Sequence, residues 1–139
     1  MIDQRTAPYA ALVLRIALGS MFIAHALLKY LVFTPAGTVK FFESIGLPGP
    51  LAYVTIVVEL VGGALILLGV GSRWAAAALV PVLLGAAWAH AGNGWVFTAP
   101  NGGWEYPAFL ALAAMVQALL GDGVFALRNA LSSRQLAAV

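Results

Sequence analysis

The sequence predicts an all-α, integral membrane four-helix bundle with a short interfacial helix between helices 1 and 2. Three observations predict it. Hydrophobic residues make up 63% of the 139 positions and charged residues only 9%, where a soluble domain carries about 25% charged. Four apolar runs are each long enough to cross a bilayer at ~1.5 Å rise per residue. The charges gather at the run ends, apart from a few interior residues of which Glu59 is the most isolated. A chain of this length and a mean hydropathy of +0.97 predict one domain over residues 1–139.

The first span is read at about residues 9–31, after the polar start MIDQRTAP. Ala24-His25-Ala26 resembles a signal-peptide cleavage site, but Arg15 interrupts the apolar region, so a retained span is expected. Residues 34–50 differ in character: Val39, Phe42 and Ile45 recur at spacing three while Lys40, Glu43 and Ser44 lie elsewhere on the wheel. That pattern predicts a short helix with its apolar face in the headgroup region, stopped by Gly46 and Pro48. The second span covers about 51–69. Gly69 and Gly71 then punctuate a tight link to the third, about 74–91, which contains Pro81. Residues 92–104 are rich in Gly and Asn and hold Trp95 and Trp104, which suits a water-facing cap at the interface. The fourth span covers about 105–120 and ends at Gly121-Asp122-Gly123. The tail, 124–139, is read as an amphipathic surface helix or a frayed end.

Arg5, Arg73, Arg128 and Arg134 fall on one side of such a bundle, against Lys29 and Lys40 on the other. The excess predicts both termini in the cytoplasm. The absence of cysteine excludes disulfides, thiolate metal sites and iron–sulfur ligation. A net charge of +2, carried at helix ends, gives no nucleic-acid surface.

Glu59 is the most informative residue. It is the one charge in LAYVTIVVELVGGALILLG, and an ionised acid near mid-bilayer costs roughly 2.5–3.5 kcal/mol on insertion scales. It must therefore face protein or a cavity. Arg15, His25 and Lys29 share one face of the first span at ~100° per residue, as a buried polar seam requires. Counting rise from the outer boundary puts Lys29 about 3 Å deep, His25 about 9 Å, Glu59 about 12 Å and Arg15 about 21 Å. His25 is then the expected partner of Glu59, with Arg15 a longer reach. His90 and Glu105, at helix ends, are expected at the same outer rim.

Plainer readings stand beside these. Lys29, His90 and Glu105 could snorkel to water, and Arg15 could reach headgroups. His25 could bond a backbone carbonyl, and Glu59 could belong to a purely structural pair. Gly62 and Gly63 suit close helix packing. Two histidines and two carboxylates near one rim leave a haem or a divalent metal open, but no HxxxH or ExxH spacing supports a metal site. A quinone site suits the residue types better. Glu59 and His25 would move protons, Arg15 and Lys29 would donate hydrogen bonds, and His90 and Glu105 would complete the polar pocket. A redox partner protein or a bound cofactor would have to carry the electrons.

Taken in order, LRIALGSMFIAHALLK, FFESIGLPGP, AYVTIVVELVGGALILLGVGSRWAA, the helix ending at His90, Glu105, and the Gly121 and Gly123 pair resemble the DoxX-like family of small bacterial membrane proteins. The resemblance runs over about residues 10–127. It differs at Ala26, where glycine is usual, and at Asp122, where proline is common. An acidic residue that follows the glycine pair in the family is also missing, with Arg128 nearby. The resemblance implies a four-helix membrane bundle; a multi-pass protein of the bacterial inner membrane, in contact with lipid, is expected, and an oligomer is left open. It also implies a link to quinone-coupled oxidoreduction, because founding members look like subunits of a thiosulfate:quinone oxidoreductase or terminal oxidase. The expected function is therefore a membrane subunit of a quinone-linked oxidoreductase. The competing expectation is a non-catalytic assembly or accessory protein whose polar seam is structural.

Overall fold

The computed structural model describes residues 3–128, and residues 129–139 of the tail lie outside them. Among the described residues all regular structure is helical: α1 (Ala7–Leu27), α2 (Pro35–Ser44), α3 (Leu51–Leu68), α4 (Ser72–His90) and α5 (Glu105–Leu120). α1 packs on α3, α3 on α4, α4 on α5, and α5 on α1, which closes a four-helix ring; α2 lies against α3. Ala7–Val32, Leu51–Leu68 and Ser72–Asn93 are long and apolar enough to cross a membrane. α5 has 16 residues and rises ~24 Å, short of a ~30 Å hydrocarbon core, so the fourth run forms a shorter helix than a full span.

The fold is a membrane bundle turned apolar side out. Val13, Val57, Leu84, Phe109 and Leu119 are exposed, while the interior is built from Leu18, Phe22, Ile66, Leu79 and small alanines. Small residues let the backbones approach, since lipid offers no hydrophobic drive between helices. A Cβ built at Gly63 would come within 2.9 Å of Phe22 Cβ and 3.0 Å of the Gly19 carbonyl oxygen. Gly62 is similarly filled by Leu79 of α4. Gly63→Ala should therefore destabilise the protein by about 1–3 kcal/mol through overpacking, although alanine raises helix propensity by roughly 0.5–1 kcal/mol. Unfolding in detergent tests this, and an alanine variant as stable as the parent would show that α1 and α3 need no close approach.

The helix ends follow local chemistry. Thr34 precedes Pro35, which disfavours an α conformation there, and Thr34 adopts φ 63°. Its hydroxyl accepts the Gly37 N–H at 3.2 Å and caps α2. α1 reaches this break through a π-helical turn, Leu28–Val32, closed by Phe33 N–H on the Leu28 carbonyl at 3.0 Å. The buried Thr38 hydroxyl lies 3.2 Å from the Lys29 carbonyl and 2.9 Å from that of Thr34, so α2 fastens the widened turn. Gly69 ends α3 at φ 71°, with its N–H on Ile66 and that of Val70 on Leu65, a Schellman arrangement. α4 runs through Pro81 without a break.

Candidate functional site

The buried acid has a partner, and it is Lys29. Lys29 Nζ donates to Glu59 Oε1 at 2.9 Å and to Oε2 at 2.7 Å, across the α1–α3 interface. The Glu59 side chain is 7% exposed and that of Lys29 is 19% exposed, so the acid is sheltered and the cation sits nearer the rim. This corrects the expected Glu59–His25 pair. Depth was counted along the backbone, but a lysine stem spans several ångströms and carries its ammonium inward. The π-helical turn that holds Lys29 also departs from the regular rise on which the count rests.

His25 takes a different role. Its Nδ1 lies 2.9 Å from the Met21 carbonyl one turn back. A carbonyl only accepts, so Nδ1 carries the hydrogen, and in the neutral tautomer this leaves the lone pair on Nε2. The ring stacks on Tyr106 of α5, with centroids 5.9 Å apart and planes at 23°. Tyr106 was missed in the sequence because it follows Glu105, which drew attention by its charge; an aromatic residue in the first turn of a span was the available signal.

His90 and Glu105 do not join the pair. Glu105 Oε1 accepts the Phe97 N–H at 2.9 Å, and His90 Nδ1 lies 3.1 Å from the Asn101 carbonyl. Asn93 Nδ2 donates to the Gly102 carbonyl at 2.9 Å, and the Trp95 and Trp104 rings meet edge-on at 4.4 Å. These four contacts fold residues 91–104 into a compact cap. The two residues expected to complete a pocket instead tie down the loop above it.

Arg15 points to the opposite end. It is 2% exposed, and its guanidinium donates from Nη1 to the Asp122 carbonyl and from Nη2 to the Phe125 carbonyl at 3.2 Å. Gly69 leaves the space, because a Cβ there would overlap Nη1. Arg15 is thus separated from the Lys29–Glu59 pair by about fourteen residues of α1, roughly 21 Å. The shared polar face of α1 exists, but its two ends serve different partners. Asp122, also at Arg15's end, takes the Ser72 N–H on Oδ1 at 2.6 Å and so caps α4. Buried Gln117 donates to the Gly121 carbonyl at 2.6 Å. Neither residue was singled out as polar structure in the sequence.

The two cavities described for the bundle also lie at Arg15's end, away from the Lys29–Glu59 pair. Among the described residues no group of three or more His, Asp or Glu side chains could hold a metal ion. What the Lys29–Glu59 end offers is one remaining N–H on Lys29, the Nε2 position of His25, a sheltered carboxylate, and the flat face of Tyr106. Singly, these are a hydrogen-bond donor, two candidate proton acceptors and an aromatic face.

A Bacillus subtilis (strain 168) protein named "Putative oxidoreductase CatD" is 40% identical over 75 residues, which cover 54% of this chain and 54% of that protein. The chain thus matches about half the length of that relative. No solved structure matches it. The DoxX family model matches residues 10–92, from the first turn of α1 through α4 and including Arg15, His25, Lys29, Glu59 and His90. On that match, over more than half of its length, the chain belongs to the DoxX family.

Proposed function

We propose that this protein is the membrane subunit of a quinone-linked oxidoreductase in the bacterial cytoplasmic membrane, with both termini on the cytoplasmic side. The observation that carries the reading is the Lys29–Glu59 pair, a sheltered charge pair kept between two helices of an apolar bundle. Such a pair is costly to build and marks a functional position by default. The family and the name of the Bacillus relative supply the oxidoreductase class.

A quinone, when bound, supplies a two-electron, two-proton couple. The chain's own residues supply the rest. Lys29 donates its remaining N–H to a quinone carbonyl. With a hydroquinone bound, His25 Nε2 would take one hydroxyl proton and the Glu59 carboxylate beside Lys29 the other, as the two electrons pass to the partner protein. Tyr106 lays an aromatic face where the ring enters from lipid. A redox partner protein exchanges the electrons. The orientation is supported by Arg5, Arg73 and Arg128 at one end of the bundle, with Lys29 and Lys40 at the other.

Protein isolated in mild detergent should carry quinone detectable by solvent extraction and mass spectrometry. His25→Phe and Glu59→Gln should each lower its content at least tenfold, or about 1.4 kcal/mol of binding. A preparation without quinone, or one whose content ignores both substitutions, rejects the reading. One observation favours the structural alternative: Lys29 and Glu59 satisfy each other, and His25 is tied to Met21. An accessory protein of that kind predicts no quinone and full function in Glu59→Gln cells.

A further inference from the structure

A second polar region lies at the other end of the bundle and has no part in the proposed quinone chemistry. A cavity of about 390 Å³ opens between the α3–α4 link, the first turn of α4 and the segment after α5, lined by Gly71, Arg73, Trp74, Gly121, Asp122 and Arg128 among others. Its charges are unbalanced. Asp122 is engaged through Oδ1 by the Ser72 N–H, and its Oδ2 lies 3.7 Å from Arg128 Nη1, beyond hydrogen-bond distance. Arg73 gives a hydrogen bond from Nη2 to the Leu119 carbonyl at 3.2 Å. Each guanidinium carries five N–H donors in a fixed fork, so most of them remain for a ligand. Two arginines face one acid, which caps α4 through Oδ1 and pairs at 3.7 Å with Arg128 through Oδ2, so one positive charge is left over.

The surroundings are those of a membrane interface. Trp74, at the rim, is 75% exposed. A second, apolar cavity of about 450 Å³, lined by Leu67, Leu68, Phe125, Ala126 and Leu127, flanks the same segment on its α3 side. Forked guanidinium groups match the oxygens of a phosphate. Tryptophan settles at headgroup level, and basic pockets between spanning helices hold anionic headgroups. We propose that the Arg73–Arg128 cavity holds the phosphate of an anionic phospholipid from the leaflet at this end, with Trp74 at headgroup level and acyl chain along the Leu68–Phe125 cleft. The apolar cleft beside the cationic one is what favours a lipid over free phosphate.

Native mass spectrometry of the full chain, released from detergent micelles, tests the proposal with dioleoylphosphatidylglycerol, dioleoylphosphatidylcholine and inorganic phosphate as probes. Phosphatidylglycerol should bind at least tenfold more tightly than phosphatidylcholine. The Arg73→Gln/Arg128→Gln double variant should lose that preference, while Arg5→Gln, at the same end but outside the cavity, should keep it. Each arginine is exposed, so the single Gln variants, expected to lose about threefold each, serve if the double variant does not fold. Equal binding of the two lipids, or an equal loss in Arg5→Gln, overturns the site. Inorganic phosphate that displaces phosphatidylglycerol at equal concentration overturns the lipid as its occupant.

Discussion

Replacing Lys29 with methionine should destabilise the protein by about 3–5 kcal/mol, the cost of leaving one charge of a buried pair without its partner. Glu59 is the more sheltered member, so it bears that cost: its two oxygens lose donors at 2.9 and 2.7 Å. The partial exposure of Lys29 lets water reach the rim, which places the loss toward the lower end of the range. The double variant Lys29→Met/Glu59→Leu should return to within about 1 kcal/mol of the parent, because apolar residues of similar volume often replace a buried pair without loss. Unfolding in mixed micelles measures both. Stability restored while quinone content stays low would separate the pair's chemistry from its packing. A double variant as unstable as the single one would mean that Lys29 supports the fold through its stem or through the π-helical turn, not through its charge.

The bundle and its elements were legible because membrane helices announce themselves by length and composition. α5 begins and ends where its apolar run does, and Gly69, Gly121 and the Thr34-Pro35 step stop helices for reasons of backbone geometry alone. Pairing was less legible. A face of α1 bearing Arg15, His25 and Lys29 follows from 3.6 residues per turn, but which group meets which depends on side-chain reach and on one irregular turn. The π-helical turn at Leu28–Val32 leaves no composition signal, and it is fastened by Thr38 nine residues beyond Lys29. His90 and Glu105 were legible as polar groups at helix ends, on the same side of the bundle as Lys29. That they would fold a loop depended on glycine- and asparagine-rich turns, including Asn101 at φ 66°, whose path sequence does not specify.

Replacing Arg15 with methionine should cost about 3 kcal/mol and loosen residues 121–128. Two hydrogen bonds from a charged donor, each worth about 1.5–3 kcal/mol, are lost, and the carbonyls of Asp122 and Phe125 are left without that donor. Among the described residues the buried Arg15 Nε has no hydrogen-bond partner, and removing that group offsets part of the loss. Arg15→Lys should not recover the difference, because a single ammonium cannot reproduce a planar fork directed at two carbonyls three residues apart. Hydrogen exchange should quicken at 121–128 and remain unchanged around Glu59. The same substitution also decides whether the polar face of α1 acts as one seam. Arg15 and Lys29 lie roughly 21 Å apart along the helix and share no partner. Their effects should therefore add to within about 0.5 kcal/mol in a double-mutant cycle with Lys29→Met. A coupling well above 1 kcal/mol would instead join the two ends through α1, and any change at the Arg15 end would then be felt at the Lys29–Glu59 pair.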